Sequence, residues 1–301
     1  MPRVRGDGKQ KDMSITASKK KRLVIYHDHC PDGFAAAWAA WHQFGDGNAE
    51  YMAANYGDAP PDVAGRRVLV VDFSYPRADL EHMALVAEEL QVLDHHKTAR
   101  EALAGLPYAV FDMDRSGAGI AWDVLAAKYS GEGRRARPWL IDYVEDRDLW
   151  RWKLPGSEKV NAWLGTLRYD FSVFEAVAMN PLTDQIVAMG GAVLEANERY
   201  IESRVKEARE VVMAGHTVPI VNTTHCVSET VGRLAETRPF AVGWFQRGDG
   251  KFVFSLRSRG EGGVDVSDVA KRHGGGGHVH AAGFTLDAWA LGKGAYHIFS
   301  E

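Results

Sequence analysis

The sequence predicts an α/β protein with a parallel-sheet domain, a linker helix and a smaller α/β domain. Three observations support this prediction. Between residues 22 and 181, short runs rich in Val, Ile and Leu alternate with stretches of helical periodicity, as in a parallel sheet with crossover helices. A long stretch with few helix breakers follows, and strand patterns return after it. A chain of 301 residues is long enough to bury two cores.

Polar residues follow three of the predicted strands in the first domain. Because the carboxyl ends of parallel strands meet at one edge of a sheet, where ligands gather, we expect these residues to form one site. The runs and the polar residues after them are 22–26 before His27 to Asp32, 67–71 before Asp72, and 91–93 before Asp94-His95-His96.

The remaining elements set the predicted domain boundaries. Helices are expected where alanine dominates or where apolar residues recur at helical spacing. The predicted domains are a disordered arm over 1–21, a first domain over 22–181, a helical linker over 182–214 and a second domain over 215–301. In the first domain we expect helices over 34–41, 77–90, 116–128 and 138–148, and a fourth strand over 108–111. In the second we expect strands over 217–221, 240–245 and 251–256, and helices over 227–235 and 266–272.

Composition excludes several classes of protein. No apolar run reaches the roughly 18 to 20 residues that span a bilayer, and the basic, polar first 22 residues do not form a secretory signal. Only Cys30 and Cys226 occur, which argues against a disulfide framework and fits a reducing cytoplasm. The net charge of −4 argues against a protein that coats long nucleic acid and leaves room for a small anionic substrate.

The strand-end residues are suited to two-metal chemistry. Hydrolysis of a phosphodiester needs an activated water and neutralisation of the phosphoryl charge, and two divalent cations about 4 Å apart supply both. Mg²⁺ and Mn²⁺ prefer carboxylate oxygens, and imidazole suits several first-row metals. We therefore expect a pair of divalent cations, with Mn²⁺ favoured and Mg²⁺ as the alternative. A cysteine-based zinc site is not predicted, since the sequence has no CxxC pair.

The same residues resemble the motifs of the DHH phosphoesterases. Residues 27–36 (HDHCPDGFAA), the strand-end Asp72, Asp94-His95-His96 and residues 144–150 (VEDRDLW) match the four motifs in order. Residues 254–258 (FSLRS), 274–278 (GGGGH) and 281–284 (AAGF) resemble the companion DHHA1 domain. The resemblance covers residues 22–290, and within the superfamily the chain is most similar to the small oligoribonuclease and exopolyphosphatase-related group.

The resemblance implies a role for each motif residue. Asp72 would bridge the two metals, His96 would contact the substrate phosphate or donate a proton to the leaving group, and Asp94 would orient the histidines. The implied ligands of one metal are Asp32, Asp72, His95 and Asp146, and those of the other are Asp72, Asp28 and His27. The implied substrate-binding residues are Arg257, Ser258, Gly275, Gly276, Gly277 and His278.

Two positions leave alternatives open. Many relatives have an acid where this chain has Cys30, and a thiolate is a poorer ligand for Mg²⁺. We expect Asp28 to replace the missing acid, the alternatives being a weak site or Cys30 itself as a ligand. Asp146 and Asp148 compete for one ligand position, and Asp146 is the favoured residue.

The glycine run also has a physical interpretation. Consecutive glycines let the backbone approach an anion and present N–H groups to it, and Arg257 grips a phosphate with two donors. We therefore predict a phosphodiesterase that removes mononucleotides from an end of short oligonucleotides, RNA above all. The alternatives are hydrolysis of polyphosphate, a cyclic dinucleotide or 3′-phosphoadenosine 5′-phosphate, and a catalytically weakened nucleotide-binding protein. The sequence leaves a homodimer and the direction of cleavage open.

Overall fold

The computed structural model describes residues 22–129, 136–260 and 262–287. The predicted arm over residues 1–21 lies outside these ranges. The first domain is built on a five-stranded parallel sheet with the strand order β2-β1-β3-β4-β5. Its strands are β1 (Arg22–His27), β2 (Ala49–Ala54), β3 (Arg67–Val71), β4 (Glu89–Asp94) and β5 (Ala109–Phe111).

Helices cover both faces of this sheet. Central strand residues such as Leu23, Val24 and Val70 are almost completely buried, as expected for a parallel sheet packed on two sides. One core contains Trp38 and Leu140, and the other contains Phe73 and Leu80. The helices are α1 (Pro31–Asn48), α2 (Arg77–Val86), α3 (Lys97–Ala102), α4 (Gly117–Tyr129), α5 (Trp139–Asp148), α6 (Ser157–Leu164) and α7 (Phe171–Ala178).

The strand order places a crevice beside β1 and β3. In sheets of this order the chain reverses its direction of winding between these two strands, and ligands bind outside their carboxyl ends. His27 ends β1 and Asp72 directly follows β3. The fold therefore brings the polar residues of the first domain to one edge, as the alternation of strands and helices predicts.

A long helix, α8 (Asp184–Val205), follows the first domain and is capped by Thr183, whose Oγ1 accepts the backbone N–H of Ile186. The prediction that the helix continues to residue 214 is wrong. Residues 209–213 form a strand instead, because Ala214 and Gly215 both adopt positive φ and close a tight hairpin with the next strand.

The second domain is a six-stranded mixed sheet with the strand order β10-β11-β9-β8-β7-β6, in which only β7 and β8 pair in parallel among the described residues. Its core includes Phe240, Phe254 and Leu256. The elements are β6 (Arg209–Met213), β7 (His216–Asn222), α9 (Val227–Ala235), β8 (Ala241–Gln246), β9 (Phe252–Arg257), α10 (Val266–Lys271), β10 (Gly276–His278) and β11 (Ala281–Leu286). The predicted fold class is thus confirmed.

Polar contacts join the two domains around the strand-end crevice. On the side of α3, the hydroxyl of Thr98 accepts the backbone N–H of Gly277 at 3.1 Å. Ion pairs flank the crevice between Lys97 and Asp265 (2.5 Å), Lys271 and Glu101 (2.5 Å), and Arg147 and Glu229 (3.0 Å). Within the described ranges, no helix combines the length and the apolar character needed to cross a membrane.

Candidate metal centre

Four side chains converge on one point, from the start of α1 and the ends of β3, β4 and α5. Nε2 of His95 lies 3.1 Å from Oδ1 of Asp72, 3.7 Å from Oδ2 of Asp32 and 3.5 Å from Oδ2 of Asp148. Separations of 3 to 4 Å are those of ligand atoms around one cation with bonds of about 2.0 to 2.2 Å. Asp32, Asp72 and His95 are each no more than 2% exposed. We call these four residues the carboxylate set.

The two oxygens of Asp72 face different neighbours. Oδ1 belongs to the carboxylate set, whereas Oδ2 lies 3.8 Å from Nδ1 of His27. A ring nitrogen of His27, Sγ of Cys30 and an oxygen of Asp72 all lie within 4.8 Å of one another. We call these three residues the thiol set. Asp72 alone contributes to both sets, so its carboxylate has the position of a bridging ligand.

The chain holds Asp72 in this position at some conformational cost. Its φ of 53° lies in the left-handed region, which a residue with a side chain seldom adopts away from functional sites. Its backbone N–H donates to the carbonyl of Leu93 at 2.9 Å, which ties the end of β3 to β4. Gly117 packs directly against the Asp72 side chain, and no larger residue fits there without a shift.

Asp32 is positioned by the amino end of α4. Its two carboxylate oxygens accept the backbone N–H groups of Gly117 (2.6 Å) and Ala118 (3.0 Å), which a helix leaves without internal partners. The sequence predicts a helix that begins at Ser116, with a substrate contact by Ser116-Gly117-Ala118 as the alternative. The two small residues after Ser116 were the available signal for this close approach.

Asp28 does not join either set. Its carboxylate is directed to the backbone N–H and side chain of His29 and to the side-chain amide of Asn55. These contacts differ from the expectation that Asp28 replaces the missing acid, because they occupy its carboxylate with His29 and Asn55. Cys30 lies at the position where the acid was expected.

The structure places Asp148, rather than Asp146, beside His95. The Asp146 carboxylate accepts the backbone N–H groups of Lys153 (3.0 Å) and Leu154 (3.1 Å), so it holds the loop after α5. Asp148, two residues later on the helix, points to His95. Asp148 rather than the expected Asp146 therefore faces His95, because two residues along a helix correspond to about 200° of rotation.

Asp94 organises both histidines of the triplet. One of its oxygens, Oδ1, accepts the backbone N–H groups of His95 and His96 and lies 2.7 Å from Nδ1 of His96. Burial raises the pKa of Asp94, but the adjacent His96 and His95 outweigh this effect and hold the pKa below its usual range. A charged Asp94 keeps a proton on Nδ1 of His96 and leaves Nε2 for another partner.

The charges of the carboxylate set are unbalanced without a cation. Burial and the neighbouring Asp32 raise the pKa of Asp72 well above its usual range, and the same causes raise the pKa of Asp148 to about 6. Oδ2 of Asp72, Oδ2 of Asp148 and Nδ1 of His27 are buried without hydrogen-bond partners. Buried polar atoms rarely lack partners in proteins. These donors therefore fit a pair of divalent cations.

The second domain supplies one wall of the site. The ring of His278 lies over His96, with centroids 4.6 Å apart, and 4.7 Å from that of His95. Burial lowers the pKa of His278 strongly, and the charges of His96 and His95 lower it further. A neutral imidazole is therefore placed directly beside the triplet, where it can accept or donate one hydrogen bond.

The glycine run does not form an open anion nest. The N–H groups of Gly274, Gly275 and Gly277 donate to Lys271, Ala270 and Thr98 within the protein. The glycines instead permit close packing: Gly275 faces the backbone of β11, and a Cβ on Gly276 would lie 2.6 Å from Oγ1 of Thr98. This packing brings β10, which ends at His278, close to α3 and β11.

Two arginines approach the crevice from opposite domains. Nη2 of Arg257 donates to Oγ of Ser228 (2.7 Å), while Arg147 pairs with Glu229. Burial lowers the pKa of Arg257 to about 10, with Glu229 opposing the shift and Arg147 adding to it. Sequence reasoning found Arg257 and missed Arg147, which carries no motif signal beyond its place before Asp148.

Ser258 and Tyr56 lie nearer the rim of the site. Ser258 Oγ is 2.9 Å from Nδ1 of His280, and nothing in its contacts directs it to the metal centre. Tyr56, which sequence reasoning missed, is 51% exposed and packs its ring 5.4 Å from that of His27. An aromatic ring at this rim offers a surface on which a base can stack.

A two-domain hydrolase of phosphoesters is the class that this fold and site define. The parallel-sheet domain presents the His and Asp cluster, and the mixed-sheet domain closes over it. Residues 220–295 match the model of the DHHA1 domain. Together with the fold of the first domain, this match makes the chain similar to the DHH/DHHA1 phosphoesterase family.

The chain is also similar to proteins of known sequence and of known structure. An uncharacterised protein of Acanthamoeba polyphaga mimivirus is 26% identical over 298 aligned positions, which cover 91% of this chain and 69% of the relative. The oligoribonuclease NrnB of Bacillus subtilis is 26% identical over 213 positions, which cover 66% of this chain and 53% of that protein. RecJ of Thermus thermophilus, solved with Mn²⁺, shares the fold with a TM-score of 0.52 at 16% identity, covering 93% of this chain and 52% of RecJ. None of these similarities bears on the homodimer that the sequence leaves open.

Proposed function

We propose that the chain is a Mn²⁺-dependent phosphodiesterase that releases mononucleotides from an end of short oligonucleotides, RNA above all. The observation that carries the proposal is the shared Asp72 carboxylate, which gives one oxygen to each of two adjacent ligand sets. Such an arrangement is characteristic of centres that use two cations for in-line displacement at phosphorus. When bound, the cations supply an activated water and neutralise charge on the phosphoryl group.

The residues of the chain have distinct parts in this proposal. His96, held by Asp94 through Nδ1, presents Nε2 to the leaving oxygen and moves a proton there. Arg257 holds a non-bridging phosphate oxygen through paired N–H donors. Asp94 keeps its charge throughout, because its role is to orient the histidines and stabilise a protonated ring.

The position of His278 favours a chain end over an internal phosphodiester. Its ring lies over the triplet, and the contact between Thr98 and Gly277 closes the crevice beside it. A substrate that runs on past the reacting phosphate would have to displace this wall. The relative from Bacillus subtilis is named an oligoribonuclease, which supports the same substrate class.

The test is incubation of the purified full chain with Mn²⁺ and end-labelled RNA of two to five nucleotides, with products resolved by chromatography. We expect mononucleotides to accumulate from the first time point, and little cleavage of a 24-nucleotide RNA. Labels at the 5′ and 3′ ends, used separately, give the direction of cleavage. An inactive Asp72→Asn sample controls for contaminating nucleases.

A panel separates the rival functions. It contains polyphosphate, a cyclic dinucleotide and 3′-phosphoadenosine 5′-phosphate under the same conditions. Turnover of one of these without turnover of any short oligonucleotide would replace the proposed substrate while leaving a phosphoesterase. Metal-dependent nucleotide binding without hydrolysis of any member would identify a binding protein instead.

A further inference from the structure

Cys30 occupies the metal crevice of this chain. It precedes α1, and its sulfur lies with a ring nitrogen of His27 and an oxygen of Asp72 inside a group no more than 4.8 Å across. Asp28, the neighbouring acid in sequence, is turned toward His29 and Asn55. Among the described residues, the thiol set therefore offers one nitrogen, one sulfur and one oxygen donor.

Two unpaired atoms point independently to a bound cation at this position. Oδ2 of Asp72 is buried in a residue only 1% exposed, and Nδ1 of His27 is also buried. Neither atom has a hydrogen-bond partner, although they lie 3.8 Å apart. A buried carboxylate oxygen without a partner is costly unless a cation satisfies it.

We propose that Cys30 is a thiolate ligand, and that His27, Cys30 and Asp72 together bind a thiophilic divalent cation such as Zn²⁺ or Co²⁺ in preference to Mg²⁺. This inference rests on the proposed two-metal centre, because Asp72 also serves the carboxylate set. On binding, the Cys30 thiol releases its proton to solvent and the sulfur lone pair forms the bond to the cation.

The chemistry of the two sets predicts different cation preferences. Thiolate sulfur favours softer ions such as Zn²⁺, whereas carboxylate oxygens suit Mg²⁺ and Mn²⁺. The carboxylate set has three acids and one imidazole and keeps the preference for harder ions. One centre therefore combines a soft site and a hard site, joined through Asp72.

The presence of only two cysteines in the chain permits a direct spectroscopic test. The full chain, stripped of metal and kept under a reductant without thiols, is titrated with Co²⁺. A thiolate bound to Co²⁺ gives a near-ultraviolet charge-transfer band, and visible bands report Co²⁺ bound by any ligands. We expect the charge-transfer band in wild type and in Cys226→Ser, and its loss in Cys30→Ser with the visible bands retained.

A second variant tests the preference itself. Cys30→Asp replaces sulfur with a carboxylate, and competition against a chromophoric chelator measures the affinities for Zn²⁺ and Mg²⁺. The ratio of these affinities should fall by at least about tenfold, since even the loss of a group behind a ligand changes metal affinity 10- to 100-fold. Circular dichroism of each variant verifies that the fold survives.

Three results would overturn the inference. The first is visible Co²⁺ bands without a charge-transfer band in wild type, and the second is a charge-transfer band that survives in Cys30→Ser. The third is an unchanged Zn²⁺ to Mg²⁺ ratio in a folded Cys30→Asp. None of these measurements uses substrate, so a protein that binds Co²⁺ through Cys30 but cleaves no RNA would refute only the proposed function.

Discussion

The rings of His96 and His278 lie against each other across the domain boundary, with centroids 4.6 Å apart and planes inclined by 22°. One ring belongs to the parallel-sheet domain, and the other lies in the region that matches the DHHA1 domain. The pair depends on how closely β10 approaches α3, where Gly276 faces Thr98. Domain packing and the position of the proposed proton donor are thus linked through one glycine.

A Gly276→Ala substitution should separate the two rings. The new Cβ would lie 2.6 Å from Oγ1 and 3.2 Å from Cβ of Thr98, so β10 must move away from α3. We expect kcat on a short RNA to fall about 10- to 100-fold, as for small displacements of catalytic groups. Metal affinity, measured by calorimetry, should be unchanged.

A second substitution provides the control. Thr98→Ala removes Oγ1 and Cγ2, two of the three atoms nearest to the new methyl group. The double variant should therefore recover part of the lost kcat, which a double-mutant cycle measures as a coupling free energy. Strictly additive effects would show that Gly276 does not act through its contact with Thr98.

Replacement of Asp72 should separate metal binding from folding. Asp72→Asn keeps the shape of the side chain but removes the charge that both ligand sets share. We expect kcat to fall well beyond the about 10- to 100-fold typical of groups that act through a ligand. Ionisation of Asp72 opposes folding of the metal-free chain, since burial raises its pKa. The Tm of the metal-free variant should therefore equal or exceed that of wild type at pH 7.

Thermal unfolding with and without Mn²⁺ measures both effects. In wild type, Mn²⁺ at 100 times its Kd should add about 2.7 kcal/mol to the free energy of unfolding. The variant should gain little. Asp184→Asn, an exposed acid at the start of α8, is the matched control and should behave as wild type. Full Mn²⁺ stabilisation of Asp72→Asn would contradict the bridging position.

Substitution of Asp146 should lower stability, whereas substitution of Asp148 should lower activity. Asp146→Ala leaves two partly buried backbone N–H groups without their acceptor, so we expect a loss of about 1 to 2 kcal/mol in the free energy of unfolding. Asp148→Asn should abolish activity with little loss of stability. Urea denaturation and initial rates distinguish the two, and the reverse pattern would restore Asp146 as the ligand.

The pH dependence of stability gives a second test of Asp146. Burial raises its pKa, but hydrogen bonds from Ser157, Lys153 and Leu154 outweigh burial and hold the pKa below its usual range. The stabilisation is therefore complete above the unfolded pKa of about 3.9 and is lost as the pH falls further. The difference in stability between wild type and Asp146→Ala should shrink on acidification below that pH and stay constant above it.

The sequence predicts the site better where residues end strands than where they lie on helices or in loops. Asp72 and His95 follow buried apolar runs, so their meeting at one edge follows from the parallel sheet. Asp146 and Asp148 lie on one helix, and their directions depend on the loop that wraps around Asp146. That loop has no sequence pattern that would reveal its hydrogen bonds.

The fold, like the site, is predicted well in some parts and poorly in others. The alternation of strands and helices predicts the first sheet, but the edge strand β2 was missed because Ala49–Ala54 carries few branched apolar residues. The predicted linker helix includes the residues of β6, because its polar residues Arg209 and Glu210 also suit a helix. The glycine run was interpreted as an anion site, although only tertiary contacts reveal that its N–H groups are already bonded.

Gly117 offers the sharpest test of the support behind the carboxylate set. A Cβ at this position would lie 2.7 Å from Oδ1 of Asp72, the oxygen that faces His95. Gly117→Ala must therefore move Asp72 or the amino end of α4, whose N–H groups hold Asp32. We expect a loss of about 1 to 3 kcal/mol in stability from overpacking, together with weaker Mn²⁺ binding and lower kcat.

Gly232→Ala is the matched control for this substitution. Gly232 also lies in a helix, α9, but an added Cβ there would meet nothing within 4 Å. Alanine should therefore leave activity unchanged and stabilise the helix by up to about 1 kcal/mol. If Gly117→Ala likewise gains stability and keeps full Mn²⁺ affinity, then the close contact with Asp72 does not position the bridging carboxylate, and α4 is only a neighbour of the metal centre.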